Sequence, residues 1–351
     1  VIEARSLLPL FEHGGRLQMA AALYDIPRPR WVDLSTAINP QGWPVGTIPQ
    51  EIWARLPEED DGLVEVMRSH FAASAVLAVS GSQSAIQNLP RLRAPGRVAV
   101  RVPTYAEHAQ AWQRAGHEVI PVDAHVGTAD LDAVLDSVDV FVVVNPNNPT
   151  GESLPATQLL SWHDRISHHG GWLIVDEAFV DGDPGVSVAS HAGKNLIVLR
   201  SLGKFWGLAG VRLGFVLAAD ELLANLQERL GPWHVSSPAR WISRRALVDL
   251  SWIEKTRARL HQQRDRLDLL LRAQGLISAG DCSLFRWVPA PDVPYLFDAF
   301  ARRGILIRAF PQFGGVRFGL PGPDHEWQAL EATLRDIMTE ARPRVLETSG
   351  P

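Results

Sequence analysis

Lys204 stands in a stretch of small residues, Ser201-Leu-Gly-Lys204, that runs on through Gly207, Gly210 and Arg212 to Gly214. The apolar run Asn195 to Leu199 directly before it reads as a buried strand, so Ser201 and Lys204 lie on the loop that leaves the strand. A lysine amine flanked by small side chains can be brought close to a ligand without crowding. Ser201 and Arg212 bracket it with a hydroxyl and a guanidinium, the groups that grip a phosphate. An amine beside a phosphate grip points to an aldehyde cofactor that carries a phosphate and is bound as a Schiff base. S-x-x-K alone recurs by chance, so the reading depends on what the rest of the chain adds.

Two more groups close apolar runs. Asn148 lies in Asn145-Pro-Asn-Asn148-Pro-Thr-Gly151, after Val138 to Val144, where prolines and a glycine fix the backbone and hold its amide as a donor. Asp176 ends Leu173-Ile-Val-Asp176, a position where carboxylates are often only solvated or helix-capping. Asn148, Asp176 and Lys204 occupy successive strand ends, a placement that lets them surround one ring. There Asp176 keeps a pyridine nitrogen protonated, because an adjacent carboxylate favours the cation. Protonation makes the ring an electron sink, the chemistry a lysine-bound aldehyde needs. The turn Ser80-Gly-Ser-Gln-Ser84 opens a helix at residue 84, and unpaired N–H groups make such a start an anion site. Arg308 and Arg317 stand at late strand ends and suit a substrate with two anionic ends. His13 precedes Gly14 and Gly15, which allow a ligand to approach closely. No residue is assigned to a metal.

The elements that position these groups alternate. Strands are predicted at Ala75 to Val79, Arg97 to Val102, Glu118 to Val122, Val138 to Val144, Trp172 to Val175 and Asn195 to Arg200. Helical periods intervene at Ala85 to Leu89, Tyr105 to Ala115, Leu131 to Leu135 and Pro155 to His168. This pattern means a mostly parallel sheet covered on both faces, with ligands outside the carboxyl ends of its strands. A further strand at Arg212 to Leu217 is expected to run antiparallel. A helix is expected at Leu63 to Phe71 and irregular chain from Leu34 to Pro49. Beyond Glu221 come long helices, Leu222 to Leu230 and one from Pro238 to about Gln274. Strands Cys282 to Val288, Ile305 to Arg308 and Val316 to Leu320 follow, with helices Tyr295 to Arg303 and Glu326 to Glu340 and a frayed tail from Arg342. The domain reading is an arm at 1–30, a large domain at 31–230, linking helices at 231–274 and a smaller α+β domain at 275–351.

The chain of 351 residues is 46% hydrophobic and 21% charged, an ordinary composition for a globular protein. A net charge of −5 gives no reason to expect nucleic acid or an anionic membrane as a partner. Cys282 is the single cysteine, which fits a reducing compartment, and no run approaches the roughly 18 to 20 apolar residues of a membrane helix. With no secretory pattern at Val1-Ile-Glu-Ala-Arg5, the expectation is a cytoplasmic protein without a membrane partner.

Together, NPNNPTG, VDEAF and SLGKFWGLAGVRLG resemble the fold-type I, pyridoxal-phosphate-dependent aminotransferases, in the branch near histidinol-phosphate aminotransferase. The resemblance implies an α/β fold with a mostly parallel mixed sheet and a smaller α+β C-terminal domain. It implies that Lys204 carries the cofactor covalently, that Asp176 faces the pyridine nitrogen and that Asn148 bonds the ring hydroxyl. Ser201, Arg212 and the backbone of Gly81, Ser82 and Gln83 would then hold the cofactor phosphate, with Tyr105 stacked on the ring. His13-Gly-Gly15, Asp33-Leu-Ser-Thr-Ala-Ile-Asn39-Pro and Gly231-Pro-Trp-His-Val-Ser236 look like the threonine-phosphate decarboxylase family of cobalamin biosynthesis. That family implies a phosphorylated amino-acid substrate, with Arg317 on its α-carboxylate and Arg308 with His13 on its phosphate.

Two departures bear on the choice. Phe179 replaces the tyrosine of the aminotransferases' VDEAY, which removes a hydroxyl from the ring's surroundings. Leu56-Pro57-Glu-Glu-Asp-Asp61 lacks the tyrosine that reaches across to a second subunit in many relatives. A homodimer is implied by resemblance only. The competing readings are a histidinol-phosphate or related aminotransferase, and a ligand-sensing domain of a transcription regulator. The regulator would need a winged-helix segment, and no room for one is expected before His13.

Overall fold

The computed structural model describes residues 7–347, which divide into two compact units. One holds 42–148 and 152–258, the other 7–41, 149–151 and 259–347.

The first unit is built on a seven-stranded sheet: β1 Val76–Val79, β2 Arg97–Val102, β3 Glu118–Asp123, β4 Val140–Val144, β5 Trp172–Asp176, β6 Leu196–Ser201 and β7 Gly214–Leu217. Their order across the sheet is β1-β7-β6-β5-β4-β2-β3. Pairs from β3 through β6 are parallel, and β7 runs antiparallel to both its neighbours, as the sequence pattern anticipated. Every residue of β4 and β6 is buried. Both faces of a parallel sheet are covered, so its strands read as unbroken apolar runs rather than alternations. On one face Val98, Val100, Val142, Ile174 and Ile197 pack against Ile86, Trp112 and Leu226 from the covering helices. Each such side chain contributes roughly 1.5–3 kcal/mol when fully buried.

Two boundaries differ from the sequence reading. The helix after β1 is Ser82–Asn88 and starts at Ser82 rather than residue 84, because Gly81 at φ 75° and ψ 152° turns the chain in one residue. The long helix expected from Pro238 is two helices, Ser237–Ala246 and Leu250–Ala273. Asp249 makes the break: its Oδ1 accepts the Trp252 N–H at 3.1 Å, capping the second helix. Its Oδ2 accepts from the Trp43 indole at 3.0 Å.

In the second unit β8 Phe285–Pro289, β9 Arg308–Phe310 and β10 Gly315–Gly319 form an antiparallel sheet of order β9-β10-β8. Val32–Asp33 pairs in parallel with Ile305–Leu306. The single strand expected over Ile305 to Arg308 is therefore divided at buried Ile307, where the chain changes partners. The last helix is Asp324–Glu347. No regular element occupies residues 34–49. No helix among the described residues is long and apolar enough to cross a membrane.

Candidate active site

Strand ends in the first unit carry one cluster. Asp176, the last residue of β5, is 3% exposed, and its two oxygens are both engaged. Oδ1 accepts the Ala178 N–H at 3.0 Å, and Oδ2 lies 2.9 Å from Nε2 of His108. His108 is itself buried, on the helix Glu107–Arg114. Buried polar oxygens need hydrogen-bond partners of this kind. Ser201 ends β6, and its Oγ accepts the Gly203 N–H at 3.2 Å. Half-buried Lys204 follows on the turn, with Nζ 5.3 Å from the centre of the Phe179 ring. Of the three asparagines after β4, two are braces. Asn145 exchanges hydrogen bonds with the Leu154 backbone at 2.8 and 3.1 Å, and the Asn147 amide donates to the Pro103 carbonyl at 2.8 Å. Both are buried, while Asn148 is partly exposed.

The first turn of Ser82–Asn88 has no side-chain cap. Around it the chain has been stripped of side-chain bulk. A Cβ on Gly214 would sit 2.4 Å from the Ser82 nitrogen, and one on Gly81 would sit 2.6 Å from Nη2 of Arg212. Ser201 and Gly214 are directly paired across β6 and β7. Arg212 itself holds a left-handed backbone, φ 54° and ψ 58°, and is braced by Nη1 donating to the Ala209 carbonyl at 3.1 Å. A non-glycine residue there costs about 1–2 kcal/mol, a strain typical of ligand sites. The Gly81 N–H, expected at the phosphate, is spent on the Val79 carbonyl at 2.6 Å, so the Ser82 and Gln83 N–H groups, a hydroxyl and a guanidinium around a glycine-lined hollow are what fit a phosphate. With Asp176 for a protonated ring nitrogen and Lys204 for an aldehyde, the set fits pyridoxal phosphate.

The second unit carries the other cluster. Arg308 and Arg317 are direct partners across β9 and β10, so both side chains leave the same face. Arg317 is 4% exposed, and its Nη2 donates to the Ser35 carbonyl at 2.6 Å. Burial, and then the charge of Arg308, push its guanidinium down to about 9. Arg308 donates through Nη1 to the Phe11 carbonyl and lies 4.8 Å from the Phe310 ring centre. Exposed His13 belongs to the same neighbourhood: a Cβ on Gly14 would lie 2.6 Å from the Ser35 carbonyl oxygen, and the Gly15 N–H donates to Ser35 Oγ at 2.8 Å. Ser35 is held in turn by Asp33, which accepts from its Oγ at 2.6 Å and its N–H at 2.9 Å. Like charges placed opposite each other destabilise a sheet, so the pair is a mark of ligand binding rather than of folding.

Sequence reasoning missed three groups. His108 lies three residues after Tyr105, and its N–H donates to the Tyr105 carbonyl at 3.3 Å in the turn that leads into the helix; their rings meet edge-on at 6.2 Å. Gln83 was expected to act by its backbone, yet its side chain is also engaged. Its Oε1 accepts from the Tyr105 hydroxyl at 3.1 Å, and its amide donates to Glu107 at 2.8 Å. Asp33 and Ser35 were visible only as part of a family-like segment.

A family model described as aminotransferase class I and II matches residues 62–326. The threonine-phosphate decarboxylase of Pseudomonas aeruginosa is 48% identical over 326 residues, 93% of this chain and 97% of that one. The enzyme of the same name from a Sinorhizobium species is 41% identical over 305 residues, 85% of this chain and 89% of that one. Among solved structures, the histidinol-phosphate aminotransferase of Clostridium acetobutylicum superposes with a TM-score of 0.77, covering 88% of this chain and 99% of that one at 22% identity. At that identity the likeness speaks for the fold.

Proposed function

The chain belongs to the class I and II aminotransferase family, and on that premise we propose that it decarboxylates L-threonine O-3-phosphate. The products are CO₂ and (R)-1-amino-2-propanol O-phosphate, a precursor in cobalamin biosynthesis. The observation that carries the substrate choice is the in-register pair Arg308 and Arg317, two cations on one face for a substrate anionic at both ends. Arg317 takes the α-carboxylate, and Arg308 with His13 takes the phosphate.

Pyridoxal phosphate, when bound, supplies an electron sink for whichever bond at the substrate Cα stands perpendicular to its ring. Asp176, oriented by His108 and the Ala178 N–H, keeps a proton on the ring nitrogen. Asn148 would donate to the ring oxygen, and Tyr105, its hydroxyl tied to Gln83, would pack on the ring. Ser201, Arg212 and the N–H groups of Ser82 and Gln83 would hold the phosphate, with Gly81 supplying the turn rather than a donor. Arg317, Arg308 and His13 turn the substrate so that the carboxylate, not the Cα hydrogen, takes the breaking position. Lys204 would hold the cofactor through Nζ, and the same amine is the group that would return a proton to the substrate Cα. Phe179 beside that amine supports the change of reaction, since the aminotransferases' hydroxyl is missing there.

We also read the enzyme as a cytoplasmic homodimer. Trp53, Leu56 and Trp233 are each about 60% exposed, large apolar side chains that a second copy would cover. The test is direct. Purified holoenzyme with L-threonine O-3-phosphate and no keto acid should release CO₂ and aminopropanol phosphate in equal amounts. Amino transfer from histidinol phosphate to 2-oxoglutarate in place of CO₂ release would return the chain to the transaminase reading. Lys204→Ala should abolish turnover while some cofactor stays bound non-covalently.

A further inference from the structure

A cavity of about 810 Å³ opens in the first unit, within the range of small-molecule sites. It is separate from the cofactor cluster. Arg200 lines it, and Arg200 and Ser201 are consecutive on β6, so their side chains leave the strand on opposite faces. Phe71, Leu247 and Ile253 form apolar wall, and Val248 and Leu250, both more than half exposed, form the rim.

Two guanidinium groups line this space, and Arg257 has donors to spare in it. Arg200 gives Nη1 to Glu177 at 3.1 Å and Nη2 to Asp181, but its Nε is buried with no hydrogen-bond partner among the described residues. Arg257 donates through Nε to the Asp181 carbonyl at 2.8 Å. Its two terminal nitrogens have no hydrogen-bond or ion-pair partner among the described residues. His70 adds no cation: its Nδ1 donates to the Leu247 carbonyl at 2.8 Å, and burial lowers its proton affinity. Glu65 lines the same cavity, and the Asp181 carboxylate lies behind Arg200, so a second negative charge on a ligand would go unmatched.

We propose that this cavity binds a small organic monoanion, a carboxylate on a compact apolar body. Its charge rests on the Arg257 fork, and its apolar end lies against Phe71, Leu247 and Ile253. Calorimetric titration of the holoenzyme with 3-phenylpropionate, acetate and inorganic phosphate tests this. The expected result is one saturable site per chain for 3-phenylpropionate, at least tenfold tighter than acetate or phosphate. Arg257→Leu should weaken it tenfold or more without loss of turnover. Leu250→Asp, on the exposed rim at a helix start that tolerates an acid, should weaken it similarly by repulsion. The idea fails if no saturable binding is seen, or if acetate or phosphate binds as tightly. Binding unchanged in both variants also overturns it, since the ligand would then lie elsewhere.

Discussion

Replacing Arg308 by Met isolates the cross-strand charge. Methionine keeps an unbranched side chain and removes the cation, whose Cζ lies 4.8 Å from the Phe310 ring centre, together with its bond to the Phe11 carbonyl. Directly opposed residues have Cβ atoms about 5 Å apart, so guanidinium groups at about 7 Å and an effective dielectric near 20 repel by roughly 2 kcal/mol. That energy is about 1.5 pH units in the proton affinity of Arg317. Burial and then the Arg308 charge push the Arg317 guanidinium down, to about 9. Its charge, and with it carboxylate binding, is present below that pH and lost above it. The pH profile of kcat/KM should therefore show an alkaline limb near 9 in the wild type. In Arg308→Met the limb should move up by about 1.5 units, while kcat/KM at neutral pH falls by about a hundredfold from the lost phosphate contact. A limb that stays in place, or moves down, would refute the electrostatic coupling of the two arginines.

Gly214→Ala puts a Cβ 2.4 Å from the Ser82 nitrogen and 2.8 Å from the Gly81 carbonyl carbon, backbone that cannot swing aside. The cost is about 3 kcal/mol, and cofactor affinity, read from absorbance titration of the apoenzyme, should fall about a hundredfold. His108→Phe leaves the buried Asp176 carboxylate without its ring partner. We expect kcat to drop about 10- to 100-fold with an altered cofactor absorption spectrum; an unchanged spectrum would count against orientation by His108. Asp249→Ala removes the cap of Leu250–Ala273 and the Trp43 bond, lowering stability by about 1–2 kcal/mol in a denaturant titration, with kcat unchanged.

Much of the large sheet was legible because its strands are buried on both faces, which leaves runs such as Val140–Val144 apolar throughout. The antiparallel β7 was legible too, from a strand following so soon after a glycine-rich turn. Where short-range chemistry decides, the reading slipped. Gly81 turns the chain within one residue, and Asp249 divides what looked like one helical period. The split at Ile307 depends on pairing with Val32–Asp33, a partner far away in the chain that no local pattern announces. Lys204, Asp176 and Asn148 stood out because motif and strand end coincide. His108 did not, since one histidine on an amphipathic helix is no signal until its carboxylate partner is seen. The Arg308 and Arg317 pair was visible as two arginines, whereas their register, and the cost it carries, belongs to the fold.

The position of β1 has a consequence for how the chain is made. Its sole partner in the sheet is β7, with Val76 opposite Leu217, roughly 140 residues later. A nascent chain therefore carries Gly81 and Ser82 out of the ribosome long before Gly214 and Arg212 exist to complete the hollow around them. β2 to β6 can assemble in parallel order while β1 has nothing to pair with. Closing so long a loop comes late and slowly, so the phosphate hollow is among the last features to form, and cofactor captured there secures a sheet that is otherwise complete.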